Sequence, residues 1–130
     1  KTYAPQIGGL NFATNLIEFT VTERRNGPAA WSVKPMTEYV TVGTNTCVSG
    51  PKSSVTIGRN HESNAFFLRG QISGTEIYSL TIHDPGMYAG SVFRDLLRRE
   101  GITVTGSVLR DRQTRQQHAA AKPLGHHFAP

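Results

Sequence analysis

Between positions 16 and 82, apolar and polar residues alternate in short runs. From Asp84 the period lengthens to that of a helix. Ile17, Phe19 and Val21 share one side of a strand predicted over residues 15–23. Arg24-Arg25-Asn26-Gly27-Pro28 follows as a turn, and its Asn-Gly pair predicts a hairpin. Trp31 and Val33 continue in a second short strand stopping at Pro35, and residues 39–48 make a third. Residues 49–53 read as a turn. Residues 54–59, with Val55 and Ile57 inward, then pair as a hairpin with residues 65–73, where Phe66, Leu68 and Ile72 share a face. Tyr78, Leu80 and Ile82 form a further alternating strand. The alternation of Ile102, Val104 and Val108 predicts a last one over residues 102–110.

The helical stretch carries its own punctuation. Asp84 is placed to accept from free N–H groups of the first turn. Pro85 suits the first helical position, where its missing N–H costs nothing. Tyr88, Ala89, Val92, Phe93, Leu96 and Leu97 recur as one apolar stripe. Asp95, three and four residues before Arg98 and Arg99, is expected on the wet side as the acidic partner of both. Gly101 follows as the residue able to take positive φ, which ends a helix over residues 85–100. Strands gathered early and one helix late predict an α+β domain. It is a mostly antiparallel sheet of about five to seven short strands, with the one main helix on one face. This single domain takes residues 1–110. Residues 111–130 are expected to be a polar tail or linker, and no internal repeat is present.

The helical stretch also resembles a known family. Asp84-Pro85, Tyr88-Ala89, Val92-Phe93-Arg94, Leu97 and Gly101-Ile102-Thr103-Val104-Thr105-Gly106 match a run of the form DPxxYAxxVFRxxLxxxGIxVTG. That run is found in the class C, low-molecular-mass penicillin-binding proteins, the D-alanyl-D-alanine carboxypeptidases and endopeptidases, just after an inserted non-catalytic region. Upstream, Tyr3-Ala4-Pro5, Gly9-Leu10-Asn11-Phe12, Asn15 and Phe19-Thr20-Val21 resemble the family's entry strand, and residues 64–72 resemble a later one. The resemblance covers residues 3–124, and its specific part is the helix. It implies a parent that is a serine acyl-transferring hydrolase of peptidoglycan stem peptides, working outside the cytoplasm with no metal or organic cofactor.

These enzymes acylate a serine in an S-x-x-K motif, completed by S-x-N and K-T-G. The serine needs an activating neighbour, because a free hydroxyl is a poor nucleophile near neutral pH. The chain holds one formal S-x-x-K, Ser49-Gly50-Pro51-Lys52, and neither of the other motifs. Gly50-Pro51 is a turn signature rather than the opening of a buried helix, and Lys1-Thr2 is followed by Tyr3 in place of glycine. No catalytic residue is therefore assigned. The chain reads as the inserted accessory region of a larger parent, flanking its active-site cleft. Its partners are then the catalytic domain of the same polypeptide and, indirectly, the stem peptide. The alternative is a stand-alone module that binds wall polymer or a partner protein, and an enzyme in its own right ranks third.

Composition is in keeping with this. The chain's 130 residues suit one domain with a real core, and 13 Gly with 7 Pro favour turns and short strands. The net charge of +5 comes from 14 basic against 9 acidic residues, which are scattered. Arg110, Arg112 and Arg115 lie in a Gln-rich stretch without the interleaved aromatics that stack bases, so no nucleic acid partner is expected. No apolar run approaches a membrane span. Lys1 leads straight into Thr-Tyr-Ala-Pro with no signal peptide, as in a mature or excised piece. One cysteine, Cys47, excludes an internal disulfide and is expected as a small buried or edge residue. His61, His83, His118, His126 and His127 show no metal-ligand spacing, and no metal or cofactor site is assigned. His83 reads as a strand-end residue with a backbone partner. Asn60-His61-Glu62 reads as a solvated turn. Trp31, Tyr39 and Tyr78 read as core rather than as an exposed strip for a glycan.

Overall fold

The alternating runs bury their apolar sides against one another. The computed structural model describes Gln6 and residues 10–110. Among these described residues six strands form: β1 (Leu16–Thr22), β2 (Ala30–Lys34), β3 (Thr41–Ser49), β4 (Ser54–Arg59), β5 (Ala65–Ile72) and β6 (Thr75–Thr81), followed by helix α1 (Pro85–Arg99). They divide into two three-stranded sheets, ordered β2-β1-β6 and β3-β5-β4. Every neighbouring pair is antiparallel except β3 with β5, which run parallel. The turn after β3 sends β4 two strand-widths away, and β5 returns into the gap. Both expected hairpins, β1–β2 and β4–β5, are present.

Ile17, Phe19 and Val21 of the first sheet meet Cys47, Phe66, Leu68 and Ile72 of the second. The Phe19 and Phe66 rings lie 4.8 Å apart across the interface. Tyr39 and Tyr78 pack against the same core, and Trp31 flanks Phe19 at 6.3 Å, half-exposed at the sheet edge. Tyr39 and Tyr78 thus belong to the core as expected, whereas Trp31, expected there too, stays exposed because β2 is an edge strand. Side chains tie the sheets at their corners. Asn45 Nδ2 donates to the Ala29 carbonyl at 2.8 Å, and Arg59 Nη1 donates to the Thr81 carbonyl at 3.3 Å. Cys47 is fully buried, and burial raises its thiol pKa, which suits an inert core residue.

Helix α1 is built as its punctuation predicts. Asp84 Oδ1 accepts from Met87 N–H at 3.2 Å, and Pro85 opens the helix. At the other end Gly101, at φ 79°, donates to the Arg98 carbonyl and Ile102 N–H to that of Leu97. These two bonds satisfy the last carbonyls in a Schellman arrangement. The helix packs on the sheets where β1 begins and β6 ends. Tyr88 is fully buried there, with its hydroxyl donating to the Leu16 carbonyl at 3.3 Å. Its ring lies 6.4 Å from Tyr39 and 5.9 Å from Phe12. The fold is α+β.

Two further expectations are corrected. Asp95 is not on the wet face but is 6% exposed, on the same side as Tyr88 and Val92. The steps from 88 to 92 to 95 return to one face of a helix, so phase placed it inside while its polarity suggested outside. Its ion pair is with Arg94 at 3.0 Å, and Arg98 reaches Glu38 instead at 3.6 Å. The apolar stripe splits accordingly: Tyr88, Ala89 and Val92 are buried, whereas Phe93 and Leu96 are 62% and 42% exposed.

The second correction concerns residues 102–110, which join no sheet. They turn back along α1 as an extended strap. Arg98 Nη2 donates to the Val104 carbonyl at 3.5 Å near the helix end, and Arg110 reaches Asp84 at its start. Val104 and Val108 are half-buried, whereas Ile102 is 51% exposed, and the partner is the helix. Gly86 and Gly90 make the room. A methyl group at Gly90 would stand 2.7 Å from Val108 Cγ1, and one at Gly86 2.8 Å from Arg110 Nη2.

Candidate functional site

The densest set of polar contacts lies where β6 gives way to α1. Asp84 takes φ 53°, a left-handed conformation that Asp tolerates better than most residues. This turns the chain sharply and leaves His83 and Asp84 with backbone groups that no strand satisfies. Asn64 supplies a substitute. Its Oδ1 accepts from His83 N–H at 2.9 Å and its Nδ2 donates to the His83 carbonyl at 3.0 Å, as a paired strand would. The Tyr39 hydroxyl donates to the same carbonyl at 3.4 Å. Burial first, and then the Asp84 charge, push the Tyr39 pKa above its usual value, outweighing Asn64 and Arg110. The hydroxyl therefore stays protonated and acts as a donor. The backbone of His83 is thus held on both sides at the strand end.

Asp84 itself joins two distant parts of the chain. Arg110 Nη2 donates to its Oδ1 at 2.6 Å, a short charge-assisted bond. Its N–H donates to Gln6 Oε1 at 3.0 Å. Gln6 is also held through its carbonyl, which accepts from Asn15 Nδ2 at 2.8 Å. Asn15 closes a left-handed turn, Ala13–Asn15, with φ of 49°, 52° and 57° in succession. Its amide also reaches Asn11 Oδ1 at 2.7 Å, and its carbonyl accepts from Ile82 N–H at 3.2 Å. Asp84 therefore joins Gln6, near the start of the sequence, to Arg110 of the strap.

A second polar cluster is buried under α1. Asp95 Oδ2 accepts from the Thr37 hydroxyl at 2.8 Å and from Glu38 N–H at 3.0 Å. Its Oδ1 accepts from Arg94 Nε at 3.2 Å and Nη2 at 3.0 Å. Burial pushes the carboxyl pKa up, but these donors and the Arg94 charge outweigh it and hold the group below the usual range. Each lone pair in use faces a donor, so the cluster is a brace between α1 and the loop before β3. Spacing within the sequence carried no sign of it, because the partners are nearly half a chain apart.

Beside the brace, α1 presents an apolar flank. Phe93 and Leu96 stand on it, and Leu10 and Phe12 of the entering segment lie alongside, 58% and 37% exposed. Together with Ala89 and Val92 they line a groove of about 290 Å³.

The residues singled out from the sequence fall elsewhere. Ser49 ends β3, exposed, with its hydroxyl donating to Glu23 Oε1, and Lys52 lies in the following turn. They do not lie one helical turn apart facing a cleft, which nucleophile activation by this pair needs. His61 sits in the β4–β5 connection. His118, His126 and His127, like the whole stretch 111–130, are outside the described residues. Among the described residues no group of three or more His, Cys, Asp or Glu could hold a metal ion, and no helix is long and apolar enough to cross a membrane.

No curated protein matches the chain. Among solved structures it is similar in fold to penicillin-binding protein 4 of Haemophilus influenzae, crystallised in complex with a novel β-lactam. The TM-score is 0.52 and the identity 18%, over 76% of this chain. The chain spans 24% of that protein's length. The family model of D-Ala-D-Ala carboxypeptidase 3, the S13 family, matches residues 1–128. With nearly all its length under that match, the chain belongs to the D-Ala-D-Ala carboxypeptidase 3 (S13) family.

Proposed function

We propose that this chain is a non-catalytic accessory domain of a serine-type D-alanyl-D-alanine carboxypeptidase or endopeptidase of peptidoglycan. It flanks the parent's active-site cleft outside the cytoplasm. The observation that carries the reading is the meeting of Gln6 and Arg110 on Asp84. Positions near the two ends of a domain that lie close together at its surface suit its insertion in a host. Two further facts support it. The chain spans 24% of the matched penicillin-binding protein, and its formal Ser49–Lys52 pair sits on an exposed turn. In this role the domain contributes rigid surface beside the cleft, and acylation belongs to the parent's catalytic part.

The test labels envelope proteins of the source cells with a fluorescent penicillin, followed by precipitation with antibody raised against this chain. A labelled band several times larger than the chain is expected. An unlabelled band of the chain's own size would instead favour a free-standing module that binds wall polymer or a partner protein.

A further inference from the structure

A pocket on the outer face of the first sheet holds two opposite charges that are not paired with each other. Antiparallel register sets Glu18 of β1 opposite Lys34 of β2 on one side and Ser79 of β6 on the other. Directly opposed residues share a face of the sheet, and all three are exposed. They line a pocket of about 410 Å³ whose apolar part is Phe12, Leu16 and Pro35. The left-handed turn at Thr14 closes one side. Asn15 fixes that turn through its amide bonds to Gln6 and Asn11, so the wall is preformed.

The other charged pocket, beside the end of α1, is a useful contrast. There Arg98 is held by Glu38, Arg99 by the Met36 carbonyl, and Asp95 by Thr37, Glu38 and Arg94. Its charges are satisfied by one another. Among the described residues, the side chains of Glu18 and Lys34 make neither a hydrogen bond nor an ion pair. Opposite charges at opposed cross-strand positions normally attract and stabilise the pair. These two instead face one pocket, each with its bonding capacity open. A ligand that satisfies both carries an ammonium for the Glu18 carboxylate and a carboxylate for the Lys34 ammonium. Neighbouring strands lie about 4.8 Å apart, which suits two ligand charges borne on a single carbon. The Ser79 hydroxyl, beside Glu18, adds an acceptor for the ammonium. The apolar part then takes an apolar side chain, and the volume falls within the roughly 300–1,000 Å³ of small-molecule sites.

We propose that this pocket binds a free α-amino acid with an apolar side chain, its ammonium on Glu18 and its carboxylate on Lys34. The site uses only β1, β2, β6 and the turn before them, so it stands or falls independently of the accessory-domain reading. It is a binding site and carries no chemical step.

The test follows the backbone amide signals of the 130-residue chain by NMR as leucine is added. It is repeated with isocaproate and isoamylamine, which are leucine without its ammonium and leucine without its carboxylate. Leucine is expected to give saturable shifts centred on Glu18, Lys34 and Ser79, with a Kd on the order of 1 mM for so small a ligand. Each truncated analogue leaves one protein charge unanswered and is expected to bind at least roughly tenfold more weakly. Glu18→Gln and Lys34→Met, both at exposed positions, should each weaken leucine binding by about the same factor and leave the rest of the spectrum in place. Absence of saturable shifts with leucine overturns the proposal. Equal binding of either analogue overturns it too, since one charge alone then suffices. So does leucine binding that survives both substitutions, because the amino acid is then held elsewhere.

Discussion

Two carboxylates fasten opposite ends of this domain with similar bonds in different surroundings. Glu23 lies at the far corner, where the chain passes from β5 to β6 through Ser73 and Gly74. It accepts from Gly74 N–H at 2.8 Å and from the Ser49 hydroxyl. The Ser49 bond first, and then that of Gly74, hold its pKa below the usual range. Asp95 lies under α1, accepting from Thr37, Glu38 and Arg94. Glu23 is in water and Asp95 is not. A donor abandoned at the Glu23 corner finds water at once, whereas one abandoned under the helix finds nothing. Hydrogen bonds in the two places therefore carry unequal weight, and the helix end is the one that depends on its carboxylate.

The sharpest way to break the comparison is to remove each group in turn. Asp95→Ala leaves the Thr37 hydroxyl, Glu38 N–H and Arg94 without their acceptor. It is expected to lower unfolding stability by about 3 kcal/mol in urea titration. A loss below about 1 kcal/mol would show that water reaches the site. The pH dependence sharpens the same point. The folded-state pKa of Asp95 is below its value in the unfolded chain, so its stabilisation is present above that unfolded value. It is lost as pH falls from about 4 through the folded pKa. Asp95→Asn should flatten this acid limb of the stability curve, measured by unfolding from pH 6 downward.

The strap over α1 is intermediate, since it is packed on one side only. Gly90→Ala should gain about 1 kcal/mol of helix propensity where the methyl group has room. In the native background the methyl group meets Val108 at 2.7 Å, and the gain is expected to vanish. In a Val108→Ala background it should reappear, a coupling that a double-mutant cycle measures directly. Equal effects in both backgrounds would mean that the strap does not rest on the helix. Glu23→Gln is expected to give the smallest change of the set in denaturation midpoint, because its corner is solvated.

These regions also differ in how far the sequence disclosed them. Asp84, Pro85 and Gly101 announce the helix because caps act on backbone groups within one turn. β1, β2, β4, β5 and β6 are visible because a strand's faces alternate with its own residues. What alternation lacks is the identity of the partner. The strap at 102–110 has the pattern of a strand and lies on a helix, and nothing in the period-2 signal assigns six strands to two sheets. Asp95 was misplaced because charge was weighed above helical phase. The clamp of Asn64 on His83 and the bond between Gln6 and Asp84 join residues far apart in sequence, where no local rule reaches. Ser49-Gly50-Pro51-Lys52 is the opposite case, since the local turn signature outweighs a motif match of four letters.

The joint at Asp84 also has a meaning in time. A ribosome releases Gln6 early and Arg110 only after both sheets and α1 have been made. Until then the Asp84 carboxylate can cap its helix, but the strap is open and the groove at Gly86 and Gly90 is bare. The ion pair with Arg110 is thus the last of these bonds to form during synthesis. It joins the helix start to the strap only when every residue between them has been delivered, so a chain stopped before Arg110 is left unclasped at Asp84.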